Sequence, residues 1–219
     1  FYGVSPTLAS SESTRDALLL ASWRRDLAQE GDTLRLSGFT RAFRDAYVLD
    51  DAAPSFYRNT HRTLISTGAA DGRLTVASPL ALRWRVFVED ERIDSHGVFR
   101  GARTPGLGEH DRQRLGVMAV PVWDFGPCQA SAGGQSVLFS EASPEFLLLG
   151  GVACRLSDRQ RVHLEYTETV RQPSFTELDY ASPASLGNRG LENERSAEVA
   201  AGLRRSEEHT SELQSPNTI

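Results

Sequence analysis

The residues whose types could do chemistry are few and scattered. His96, Glu109, His110 and Asp111 carry the donor atoms of a metal site. They lack the tight ligand spacing of such a site, and polar side chains are ordinary in loops. Ser174 and His163 are a nucleophile and a base by type. No Gly-x-Ser-x-Gly elbow presents a serine, and Ser174 follows Pro173, where a serine shapes the backbone. The cysteines, Cys128 and Cys154, form no metal-like cluster. Cys154 reads as a small packed side chain in a strand, and a bridge between the two is an open alternative in an oxidising compartment. These observations assign no catalytic residue, no metal ligand and no cofactor, and the chain is not read as an enzyme.

The remaining chemistry is charge arranged with a period of two. Arg83, Arg85, Glu89 and Glu91 share one side of a run whose other side is Leu80, Leu82, Trp84, Val86 and Val88. Such alternation marks a strand between two different media. Two arginines and two glutamates on one face do not suit a buried core; they suit a wet lumen. Val162, Leu164 and Tyr166 repeat the pattern against Arg161, His163, Glu165, Thr167, Thr169 and Arg171. A long run rich in Pro, Ser, Gly and Asn follows, and alternation resumes at Ala197, Val199, Ala201 and Leu203.

The elements that position these residues are read as strands throughout. They are expected over 17–28, 34–47 (with a bulge near Gly38), 56–68, 80–91, 112–123, 133–140 and 146–156, with the two strands flanking the long polar run as the last. Short turns at 29–32, 70–72, 124–127 and 157–160 alternate with connections at 49–55, 92–111, 141–145 and 173–193, most of them longer. Outer-membrane barrels segregate short periplasmic turns from long extracellular loops, which a soluble sandwich has no reason to do. The expected fold class is all-β, a partial transmembrane antiparallel β-barrel of about nine strands, with no helix pattern or repeat interrupting it.

Composition is compatible with this. The 219 residues are 24% charged with a mean hydropathy of -0.37, which resembles a soluble protein. A barrel that alternates lipid-facing and lumen-facing residues also keeps its mean hydropathy low. The apolar run from Phe146 to Cys154 is too short for a membrane-spanning helix. The net charge of -5, with every basic residue an arginine, points to no nucleic-acid partner. The first residues, FYGVSPTLAS, lack the basic start and apolar core of a signal peptide, so the chain is expected to begin in mid-protein. Residues 205–219, RSEEHTSELQSPNTI, break the alternation and resemble the translation of a sequencing-library adapter. They are expected to be an artefact and disordered, leaving 1–204 as the barrel fragment.

Two stretches carry a family resemblance. Arg171-Gln-Pro173-Ser174-Phe175-Thr-Glu177-Leu178-Asp-Tyr180 is similar to the R-x-P-S-F-x-E-L-x-Y signature of TonB-dependent outer-membrane receptors. Ser185-Leu-Gly187-Asn188-Arg-Gly-Leu191-Glu-Asn-Glu194 resembles that family's S-L-G-N-P-x-L-x-x-E segment, departing from it at Arg189 and at Asn193, where proline is common. The resemblance is tight over 156–204 and one of pattern over 17–151. It implies a barrel of twenty-two strands closed by a plug domain, of which this chain would be a part. It also implies a place in the cell outer membrane and active uptake of a scarce ligand such as an iron chelate (siderophore), cobalamin or a glycan. The inner-membrane TonB complex, acting on the plug, would be the energising partner, and outer-membrane lipid would surround the wall.

On this reading Leu80, Leu82, Trp84, Val86, Val88, Val162, Leu164 and Tyr166 face lipid. Arg83, Arg85, Glu89, Glu91, His163, Glu165 and Arg171 face the lumen or plug. Arg171, Glu177 and Tyr180 are candidate ligand contacts, although their place where a strand enters a loop favours a structural role. The rival readings are a passive porin, an outer-membrane hydrolase barrel and a soluble carbohydrate-binding β-domain.

Overall fold

The computed structural model describes residues 9–182 and 185–205. Nine strands form one antiparallel sheet in which chain neighbours are sheet neighbours. They are β1 (Ser11–Asp26), β2 (Thr33–Val48), β3 (Tyr57–Ala77), β4 (Leu80–Phe99), β5 (Ala102–Phe125), β6 (Cys128–Phe139), β7 (Glu145–Ser157), β8 (Gln160–Arg171) and β11 (Glu194–Arg205). Between β8 and β11 lie a helix, α1 (Phe175–Asp179), and a small ladder of β9 (Ala181–Ser182) with β10 (Ser185–Leu186). β1 and β11 are the edges, and the sheet is not closed. The expectation for 205–219 falls on Arg205, which ends β11, and on residues outside those described.

Strands of 16 to 24 residues in the first half are far longer than the five or six usual in soluble sheets. The register keeps the two faces distinct from strand to strand. Leu19 pairs Thr40, Thr40 pairs Ser66, Ser66 pairs Asp90 and Asp90 pairs Gln113, so each rung keeps its side chains on one face. Following these rungs, Leu19, Trp23, Leu36, Leu74, Val86, Val88, Leu115, Val117, Trp123, Leu148, Val152, Leu164, Val199 and Leu203 share one face and stay exposed. On the other face Ala81, Val120, Val122, Val137 and Leu147 are enclosed among charged and polar neighbours. A coiled sheet crowds the side chains on its concave side. The polar face is therefore the concave one and the apolar face the convex one.

Four details differ from the sequence expectation. Ala70-Asp71-Gly72 is not a turn; β3 runs through it to a turn at Ser78-Pro79. Gly72 is there for clearance, since a Cβ would lie 2.1 Å from the Thr33 carbonyl oxygen. No bulge occurs at Gly38, whose pairing with Ala21 and Gly68 is uninterrupted; the bulges fall at Thr75/Ala77, Ser95/Gly97 and Arg155/Ser157. The stretch 92–111 is not a loop but the far end of the β4–β5 hairpin, closed at Arg100-Gly101 where both φ values are positive (51° and 81°). The long connection 173–193 contains a helix where none was expected. Cys128 and Cys154, register partners on the apolar face, form a disulfide.

Candidate functional site at the mouth of the sheet

The loop-bearing end of the sheet carries the connections at 49–56, 100–101, 140–144 and 172–193. The last of these folds over the concave face, and its geometry starts at Ser174. Ser174 sits in extended conformation as the N-cap of α1; its Oγ accepts from the Glu177 N–H at 3.3 Å, and Glu177 Oε2 accepts from the Ser174 N–H at 2.7 Å. This reciprocal pair satisfies donors that a short helix would otherwise leave open. Arg171, the last residue of β8, donates from Nη1 and Nη2 to the two Glu177 oxygens at 3.0 Å each. It also donates from Nε and Nη2 to Glu194, the first residue of β11, at 2.8 Å each. Arg171 and Glu194 are register partners, so one guanidinium ties strand, helix and next strand together. Hydrogen bonds from Arg171, then from Ser174, hold the Glu177 carboxyl down at about 2.

The rest of the segment is docked by its aromatic residues. Phe175 is buried, stacked on His110 with centroids 5.3 Å apart, and the Arg112 guanidinium lies 4.5 Å from its ring centre. Arg112 also donates to the Pro173 carbonyl and, through Nε, to Glu91 at 2.7 Å. Asp179 meets Arg189 at 2.6 Å and stands 3.6 Å from His110 Nε2. Tyr180 is buried with its hydroxyl 3.3 Å from that of Tyr57, which accepts from Asn59 Nδ2 at 2.7 Å. The second motif folds back on the first: Gly187 N–H donates to Tyr180 O and Asn188 N–H to Glu177 O. A Cβ on Gly187 would lie 2.6 Å from the Leu178 backbone. The segment thus leaves β8, packs on β5 and reaches β3, crossing the concave side as a strut.

Arg171 and Glu177 are joined in the strut, and Tyr180 lies at its far end. Glu89 and Glu91 pair across strands with Arg114 (2.6 Å) and Arg112, not with Arg83 and Arg85. Arg83 lies 3.3 Å from Ser131 Oγ and Arg85 sits over Phe87. His163 and Glu165 are on the same polar face, with His163 lying over Gly202, where a Cβ would meet its ring at 2.4 Å. Leu80, Leu82, Trp84, Val86 and Val88 share the apolar face with Val162, Leu164 and Tyr166.

The metal candidates are not brought together. Glu109 and Asp111 alternate with His110 along β5, His110 Nε2 is 2.6 Å from Leu107 O, and no His/Cys/Asp/Glu group among the described residues is arranged to hold a metal. Ser174 is spent on capping. Sequence reasoning quoted Phe175 and Glu194 inside the two motifs without giving them a role, and it missed His110 and Arg112 as their neighbours, because no spacing along the chain links β5 to the motifs. It also missed a Ser95–His61 contact of 2.8 Å with Asp45 opposite His61. Ser95 is only 2% exposed and its Oγ accepts from the Leu107 N–H, so it anchors the hairpin tip and offers no room for a substrate carbonyl.

No sequence-family profile and no curated protein matches the chain. Solved structures do. The siderophore receptor PirA from Pseudomonas aeruginosa is similar at 11% identity and a TM-score of 0.59, over 90% of this chain and 43% of that one. The copper transporter OprC is similar at 11% identity and 0.63, over 89% and 36%. The ferric preacinetobactin receptor BauA from Acinetobacter baumannii is similar at 13% and 0.53, over 90% and 36%. The chain thus spans less than half the length of these structures. Its open sheet has the fold of a contiguous part of the β-barrel of TonB-dependent receptors.

Proposed function

We propose that the chain is barrel wall from an outer-membrane active-transport receptor. Such a receptor takes up a scarce ligand and is energised by the inner-membrane TonB complex through a plug domain. The observation that carries the reading is the strut. The signature residues Arg171, Ser174, Glu177 and Tyr180, which carry the family resemblance, build one brace across the concave face. The two unlike faces of the sheet support the same reading. The apolar face would meet lipid; Arg83, Arg85, Glu89, Glu91, His163 and Glu165 would meet the water, plug or ligand of the lumen. PirA is a siderophore receptor, BauA a ferric preacinetobactin receptor and OprC a copper transporter, which favours a metal or metal chelate as the cargo. Glu177 and Arg171 are engaged by each other, by Ser174 and by Glu194, so their role in uptake is to hold the loop that a ligand passes rather than to bind it.

The test is genetic. The parent gene should encode, upstream of Phe1, a plug domain of roughly 100–150 residues, an ordinary domain size, behind a signal peptide. Its deletion should abolish growth on one chelated metal source. A complete parent gene without a plug would overturn the reading.

A further inference from the structure

β6 is poorly equipped to find its own register. It reads CQASAGGQSVLF, and its large apolar side chains come only at Val137, Leu138 and Phe139, beside the loop. Toward the turn the apolar face offers Ala130, Ala132, Gly134 and Ser136. A shift by one residue would swap the faces, but a shift by two returns every side chain to its own face, and Gly-rich strands resist that weakly. The Phe146 ring leans over Gly134, where a Cβ would lie 2.6 Å from Cζ. Phe146 is itself exposed, however, so its ring is free to turn outward. The ladder to β5 adds little, because Val120 and Pro121 have no register partners in β6 and a proline has no N–H to donate. The connection at 140–144 leaves slack for the shift.

One covalent link breaks this degeneracy. Cys128, the first residue of β6, is the register partner of Cys154 in β7 and is bonded to it. Val162 and Leu203 continue the same rung on the apolar face. The chain itself closes the β6–β7 pair at 140–144, and the sulfurs close it at the opposite end, where the small residues lie. We propose that the Cys128–Cys154 disulfide is a register lock, selecting one pairing of β6 with β7 over others two residues away that the side chains alone do not exclude. β4, whose alternation from Leu80 to Val88 specifies its own pairing, carries no cysteine.

The test uses the full-length parent protein in lipid vesicles and so rests on the barrel reading above. C128A/C154A is made with either of two new pairs. A130C/V152C joins partners in the observed register, two rungs in from the native bond. A132C/V152C joins residues of the same face two residues out of register. Both are oxidised with copper phenanthroline, the folded band is separated by heat-modifiable gel mobility, and remaining thiols are counted with a maleimide mass tag. A130C/V152C should fold as the native protein does and cross-link throughout. A132C/V152C should cross-link in about a tenth of the folded band or more, the share of a populated minor state. Full cross-linking of the first pair with none of the second would mean that the side chains already set the register, and would overturn the proposal. Failure of A130C/V152C to fold would overturn it too, since a bond in register should replace the one removed. Failure of the native protein to enter vesicles would instead sink the barrel reading.

Discussion

Arg171 makes four hydrogen bonds to two carboxylates from different elements, and this fixes what Glu177 can do. The folded Glu177 carboxyl is held at about 2 against an ordinary value of 4.5. Its depressed folded value means that its stabilising contribution is complete above the unfolded value and fades as pH falls from about 4.5 toward 2. The strut is therefore expected to persist at any neutral or mildly acidic pH. A site-resolved carboxyl titration by NMR should give a midpoint near 2, and Arg171→Met should move it back toward 4.5, because the Arg171 hydrogen bonds are the largest cause of the shift. A midpoint that ignores Arg171 would contradict the assignment. Gly187 makes a second residue-scale case. Gly187→Ala places a methyl against the Leu178 backbone and should cost about 1–3 kcal/mol, visible as protease cleavage within 173–193 while the strands remain intact. The candidate residues that sequence exposed were those inside one motif; His110 and Arg112 join them only through the fold.

Among the elements, β4 and β8 were legible because their two faces meet different surroundings, and the alternation at Leu80 to Val88 records that directly. The tip of the β4–β5 hairpin was not. Beyond Val88 both faces are polar, with Asp90, Arg92 and Asp94 on one and Glu89 and Glu91 on the other, so the period of two vanishes although the strand continues. Gly72 misled for a related reason: a glycine needed for backbone clearance looks, in sequence, like a glycine needed for a turn. α1 was hidden because a five-residue helix has no periodicity to read. Adjacent residues of β8 test the meaning of the faces. Leu164→Arg puts a charge on the apolar face and should cost about 2–4 kcal/mol near a bilayer midplane. His163→Arg, on the polar face, should be close to neutral. The folded fraction of the parent protein in vesicles, read by heat-modifiable gel mobility, separates the two; equal tolerance would mean that β8 is not at a lipid boundary.

For the whole molecule, the sheet is a curved wall without closure. Its edges β1 and β11 present unpaired backbone groups, and its convex face exposes Leu19 (73%), Val199 (69%) and Val88 (54%). Such a surface invites association. Residues 1–204 produced alone should aggregate in buffer and disperse in detergent, by sedimentation; a soluble, cooperatively unfolding monomer would count against a barrel segment. The central claim is that one face of this wall meets lipid and the other water. It is tested most directly by single nitroxide labels on the full-length parent protein in lipid vesicles. The native thiols Cys128 and Cys154 are already bonded to each other, so labels go only to introduced sites. Leu82→Cys, Val86→Cys and Val88→Cys should collide preferentially with dissolved oxygen. Arg83→Cys, Arg85→Cys and Glu89→Cys should collide with a water-soluble nickel chelate. The account predicts this alternation with a period of two along β4; equal access of the nickel chelate to both sets would contradict it.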